Sequence, residues 1–127
     1  AGLAFSNTKT AAAHSISYPL TIYYGIPHGI ASSITLLPLL DLCADKISGP
    51  IKKIILGLEM SSIEDLKEKI KKIPDGYLKF HLSEWNIDQR DYELIIKKSF
   101  TKDRMDNFIH DIDATKMTSI LKSVQGL

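Results

Sequence analysis

A stretch of twenty mostly apolar residues, from His28 to Ile47, most constrains the fold of this chain. A helix that is apolar on most of its faces is normally buried among other helices. The stretch predicts one helix, bent at Pro38, and a membrane span is rejected because Asp41 and Asp45 interrupt it without a basic flank. At 127 residues and 44% hydrophobic content, the chain is long enough to bury such a helix in one core.

The rest of the chain is also predicted to be helical. Apolar residues recur at helical spacing between glycine and proline punctuation, and no useful length of strand-like alternation is present. The fold class is therefore predicted as all-α, a helical bundle in a single domain of residues 1–127. Further helices are predicted over about Thr8 to Tyr24, from Gly49 through Leu58, from a Ser61–Glu64 capping box onward, from Asp88 through Lys98, and from Asp113 or Ala114 to about Val124.

Charge and cysteine content exclude some functions. Sixteen basic and fifteen acidic residues give a formal net charge of +1, which offers no electrostatic case for binding nucleic acid or an anionic membrane. The one cysteine cannot form an internal disulfide, and no signal peptide is visible, which together favour a cytoplasmic protein.

Two histidines form the constellation that most suggests chemistry. His14 lies in the first predicted helix, and His28 follows fourteen residues later in the turn Gly25-Ile26-Pro27-His28-Gly29. Imidazoles from separate elements can converge on a metal ion, but a catalytic metal site usually takes three or more protein groups. The spacing alone leaves open two unrelated histidines that pack or cap a turn. His81 and His110 have no partner at metal-ligand spacing and are predicted to be surface or turn residues.

Three sequence blocks carry a family resemblance: AGLAFSN at residues 1–7, AHSISYPL at residues 13–20 and GIPHG at residues 25–29. Together they resemble the C-terminal helical domain of iron-containing (group III) alcohol dehydrogenases, within the dehydroquinate synthase-like fold. Looser similarity continues through Leu82-Ser83-Glu84 and Arg104-Met105-Asp106-Asn107. The resemblance therefore covers nearly the whole chain.

The resemblance implies an enzyme larger than this chain. In that family His14 and His28 fall on two of four metal ligands, and the other two, like the nucleotide-binding domain, would lie before Ala1. It implies a divalent metal, with iron favoured over zinc, and NAD(P) in the parent protein, which would be an alcohol dehydrogenase or aldehyde reductase. We expect the 127 residues alone to be inactive, to bind metal weakly and to self-associate, and the parent enzyme to be a homo-oligomer.

Tyr18 departs from the family pattern, because many members carry a second histidine there. Positions i and i+4 share a helix face, so Tyr18 is expected beside His14 and is a candidate catalytic residue for proton transfer. A tyrosine that only packs between helices is an equal alternative. The sequence around Tyr18 is similar to a subgroup that reduces phosphonoacetaldehyde, so a phosphonate aldehyde is one candidate among small alcohols and aldehydes.

Two other interpretations stay open at the level of sequence. One is a zinc-dependent relative such as a glycerol dehydrogenase-like or dehydroquinate synthase-like enzyme. The other is a helical interaction domain without catalytic activity. The GIPHG block favours the alcohol dehydrogenases over the first alternative.

Overall fold

All regular secondary structure in the described part of the chain is helical. The structure is a computed structural model that describes residues 10–100, 102 and 104–126. The helices are α1 (Ala12–Tyr24), α2 (His28–Ile34), α3 (Leu36–Cys43), α4 (Ser48–Gly57), α5 (Ile63–Lys72), α6 (Tyr92–Ser99) and α7 (Ala114–Ser123), with short 3₁₀ turns at Leu82–Trp85, Gln89–Asp91 and Met105–Asn107. The all-α prediction is confirmed.

Helix α1 lies at the centre of the core. It packs against α2, α6 and the 3₁₀ turn Met105–Asn107. Ala12, Ile16 and Leu20 are fully buried, and their spacing of four residues places them along one side of the helix. The predicted start at about Thr8 is too early, because residues 10 and 11 are not helical. The predicted first residue, Thr8, lies outside the described residues.

The apolar stretch from His28 to Ile47 is not one bent helix. It divides at Thr35 into α2 and α3. A bend was predicted at Pro38, whereas the structure has a break between two helices, three residues before Pro38. Pro38 has no N–H to donate to the carbonyl of Ile34, four residues before it, so the helical ladder cannot continue through this point. Ile34, Leu39 and Cys43 are buried, whereas Leu36 is exposed, so the stretch is covered on only part of its surface.

Helices α4 and α5 pack against each other on the outside of the fold. The predicted third helix is confirmed to within one residue at each end, but its apolar stripe is not a core face: Ile51 is buried while Ile54 and Leu58 are exposed. These exposed side chains show that helical spacing on α4 does not produce burial.

The cap of α5 is one residue later than predicted. Ser62, not Ser61, is the N-cap, and its hydroxyl accepts a hydrogen bond from the amide of Asp65 at 3.1 Å. The Asp65 carboxylate in turn accepts from the amide of Ser61 at 3.1 Å. Asp65 therefore takes the position that the sequence pattern assigned to Glu64.

The C-terminal helices close the core as predicted. Asp88 caps the turn before α6, and Asp113 caps α7 by accepting from the amide of Lys116 at 2.7 Å. The amide of Leu82 donates to the carbonyl of Val124 at 3.0 Å, which joins the first 3₁₀ turn to the end of α7. Helix α7 and the residue after it bury four apolar side chains: Met117, Ile120, Leu121 and Val124.

None of the helices in the described ranges has the length and apolar character needed to cross a membrane. The rejection of a span over His28 to Ile47 agrees with this finding, since the stretch forms two short helices.

Candidate metal centre

His14 and His28 are placed by two helices and the tight turn between them. His14 lies in the first turn of α1, and His28 is the first residue of α2. Gly25 ends α1 in the left-handed conformation, with φ of 68°, which glycine adopts without a Cβ penalty. The amides of Gly25 and Ile26 donate to the carbonyls of Thr21 and Leu20 at 3.1 and 3.3 Å. These bonds reverse the chain and return His28 toward α1.

The two imidazoles meet edge to face. Their ring centroids are 5.3 Å apart and their planes are inclined at 64°. His14 is half-buried and His28 is exposed. The expectation that the helix and the following turn bring these two rings together is confirmed, whereas their role as metal ligands stays a prediction.

Tyr18 lies beside the same pair. Its ring centroid is 6.1 Å from that of His28, with the planes inclined at 34°. One turn of α1 separates Tyr18 from His14, as the spacing of four residues predicts. The position of Tyr18 next to the imidazoles is therefore confirmed, and its catalytic role stays a prediction.

Arg104 contacts this site, although the sequence did not assign it a role. Its guanidinium carbon lies 4.6 Å from the centroid of the Tyr18 ring, within the range of a cation–π contact. Arg104 directly precedes the 3₁₀ turn Met105–Asn107, which packs against α1. No local pattern marks this contact, because 86 positions of chain separate the two residues and only the packing of that turn on α1 joins them.

Thr21 adds a polar group to the helix that carries His14 and Tyr18. It follows Tyr18 by three positions, so the three residues share one face of α1. The Thr21 hydroxyl is buried and has no hydrogen-bond partner among the described residues.

The end of α1 is tied to the start of α6 by a half-buried tyrosine. The Tyr24 hydroxyl donates to the Asp91 carboxylate at 3.1 Å. Burial, this hydrogen bond and the negative charges of Asp91 and Asp88 raise the pKa of Tyr24 from 10.0 to about 12. The contact fixes the residue that directly precedes the turn leading to His28.

The other two histidines lie elsewhere and have structural contacts. The His110 ring lies 3.1 Å from the Asp45 carboxylate, and this hydrogen bond lowers the pKa of Asp45. His81 caps the first 3₁₀ turn. It also packs closely against Gly126, since a Cβ added at Gly126 would lie only 2.8 Å from the His81 Cβ. In the described ranges, no group of three or more His, Cys, Asp or Glu side chains is arranged to hold a metal.

The family of the chain follows from a comparison with known protein families. The family model described as Fe-containing alcohol dehydrogenase family, C-terminal, matches residues 1–125. The chain belongs to this family. No curated protein matches the chain. The iron-containing alcohol dehydrogenases are oxidoreductases of small alcohols and aldehydes, and the all-α fold described above is consistent with their C-terminal helical domain.

Proposed function

We propose that this chain is the helical part of a metal-dependent, NAD(P)-linked alcohol dehydrogenase or aldehyde reductase, in which His14 and His28 bind the metal. The contact between these two imidazoles carries the proposal, because two helices and a tight turn bring the rings together. Family membership supports an oxidoreductase of this class.

The separation of the rings fits two ligands of one ion. Imidazoles that bind a metal through nitrogens at about 2.0–2.1 Å, at roughly tetrahedral angles, have ring centroids about 5 Å apart. The observed distance of 5.3 Å agrees with this value. His28 is exposed in the described part of the chain, so its ring is accessible to a metal ion.

The family resemblance implies four metal ligands, of which two imidazoles are half, and we propose that the remaining ligands and the nucleotide come from other parts of the enzyme. When bound, the metal supplies a Lewis acid for the substrate carbonyl and the nicotinamide supplies hydride. Within this chain, His14 and His28 hold the cation, and iron is favoured over zinc by the family match. Imidazole itself accepts either metal.

Tyr18 is proposed to exchange the proton of the reacting oxygen. Its ring lies next to His28, and its hydroxyl can donate or accept a hydrogen bond. A substrate held at the metal would lie beside this side chain, which makes Tyr18 the candidate catalytic residue of the described part of the site.

The proposal also covers what the 127 residues do alone. Because half of the ligands and the nucleotide-binding domain are proposed to lie outside them, they are expected to reduce no aldehyde and to bind metal weakly. Exposed apolar side chains such as Ile22 and Tyr23, at the end of α1, favour association with the rest of the enzyme or with another copy. We propose a cytoplasmic homo-oligomer as the working form.

Metal analysis and aldehyde reduction by the full-length protein test this function. Wild type should contain stoichiometric metal and oxidise NADH or NADPH with an aldehyde. His28→Ala should lower activity by more than about 100-fold, because even residues that only orient metal ligands contribute 10–100-fold. His110→Ala, the same change at a histidine that pairs with Asp45, is the matched control and should keep metal and activity. If the full-length protein contains no metal and reduces no aldehyde, the result would favour the alternative interpretation, a helical interaction domain without catalytic activity.

A further inference from the structure

The chain contains two arginines, and they have different surroundings. Arg90 is 91% exposed, and its guanidinium forms two-point hydrogen bonds with the Asp88 carboxylate. Arg104 is half-buried, and its guanidinium carbon lies over the Tyr18 ring. In residues 10–100, 102 and 104–126, no carboxylate lies within ion-pair distance of Arg104. The two residues therefore differ in whether an acidic side chain of the described chain neutralises them.

A cation–π contact leaves much of the hydrogen-bonding capacity of a guanidinium available. The group has five N–H donors, and contact with one ring cannot engage all of them. The planar guanidinium suits two-point binding of a carboxylate or phosphate. Tyr18 thus positions Arg104 while donors remain for an anion.

Arg104 is also close to the proposed reaction site. Its guanidinium carbon is 4.6 Å from the Tyr18 centroid, which is itself 6.1 Å from the His28 centroid. The sum of these distances, about 10.7 Å, is the upper limit of the separation between the guanidinium and the His28 ring. A short carbon chain can link a carbonyl near His28 to an anionic group at Arg104.

We propose that Arg104 binds an oxyanion group of the substrate, a carboxylate, phosphate or phosphonate at the end remote from the reacting carbonyl. Arg104 is then a specificity-determining residue that selects anionic aldehydes over neutral ones. This proposal rests on the proposed function, because it places the reacting carbonyl at the histidine pair. Tyr18 has a second role in it, as the surface that orients the guanidinium.

Matched substrates and matched variants of the full-length protein test the proposal. Succinic semialdehyde carries a carboxylate, and butanal has the same number of carbons without the charge. The measured quantity is the ratio of kcat/KM for these two aldehydes. Wild type should favour succinic semialdehyde, and Arg104→Gln should lower the ratio by about 10- to 100-fold, the range of a charge-assisted hydrogen bond. Arg104→Lys keeps the charge and should retain part of the preference, and Arg90→Gln should leave the ratio unchanged.

A binding measurement separates this proposal from the reaction. Inorganic phosphate should raise the Tm of wild type and of Arg90→Gln, and should raise that of Arg104→Gln less or not at all. If neither aldehyde is reduced yet the phosphate effect depends on Arg104, the dehydrogenase proposal fails and the anion site stands. An unchanged ratio in Arg104→Gln overturns the proposal. Equal losses with both aldehydes also overturn it, because Arg104 would then only support Tyr18.

Discussion

Helices α1 and α4 both carry apolar residues at helical spacing, but α1 buries a full row of them and α4 buries only Ile51. Leu20 in α1 is 0% exposed, whereas in α4 Ile54 is 49% and Leu56 is 79% exposed. Helix α1 packs against α2, α6 and a 3₁₀ turn, while α4 packs mainly against α5. A periodic apolar pattern predicts that a helix forms, but burial requires other elements on the right side of it.

Truncating a core side chain of α1, Leu20, should give the largest effect on stability. Leu20→Ala removes a fully buried side chain and should lower the free energy of unfolding by about 2–5 kcal/mol. Leu56→Ala, the same change on α4, should alter it by no more than about 0.5 kcal/mol. Urea denaturation of both variants measures the difference. A cost at Leu56 comparable to that at Leu20 would mean that α4 is covered in the protein.

Removing the N-cap of α5 should have a smaller effect on the free energy of unfolding, and it tests the outer helices α4 and α5. Ser62→Ala should cost about 1 kcal/mol, because its hydroxyl accepts from the amide of Asp65 at the helix start. Ser61→Ala is the matched control, since its contact with Asp65 is made by the backbone amide. Urea denaturation with hydrogen exchange shows where the cost falls. Loss of protection limited to α5 would show that the outer helices open separately from the core.

Tyr24 gives the smallest effect, confined to alkaline pH. Its pKa is about 12 in the folded protein, against an ordinary tyrosine value of 10.0 in the unfolded chain, so the folded state keeps a proton that the unfolded state loses. The unfolded state then binds fewer protons, and stability falls as pH rises from 10 toward 12. Tyr24→Phe should reduce this fall in unfolding measurements across the range. Tyr77→Phe, at an 87% exposed side chain, is the control. Identical alkaline losses in wild type and Tyr24→Phe would contradict the expectation.

The sequence identified three residues of the candidate site and missed the fourth. His14 and His28 were found because their motifs resemble a family, and Tyr18 because four residues on a helix return to the same face. Arg104 carries no such local signal, since its contact with Tyr18 depends on how a distant turn packs on α1. Long-range contacts of this kind are decided by the whole fold.

Local interactions also explain two errors in the helices. Pro38 was expected to bend one helix, but the loss of its N–H divides the segment at Thr35 instead. Ser61 and Ser62 are both good caps by residue type, and the choice between them depends on which hydroxyl reaches the amide of Asp65. Residue type therefore predicts that a helix begins here, to within one residue.

The sequence by itself determined the all-α fold class, most helix boundaries and the family, because helical periodicity, caps and short motifs depend on residues close together in the chain. The tertiary structure decided which apolar faces are buried, that the rings of His14 and His28 meet, and that Arg104 lies on Tyr18. Burial and the contact of Arg104 with Tyr18 depend on elements far apart in sequence, whose packing is settled only when the whole chain competes for the same core. The contact of His14 with His28 spans fourteen residues and depends on how α2 packs back on α1.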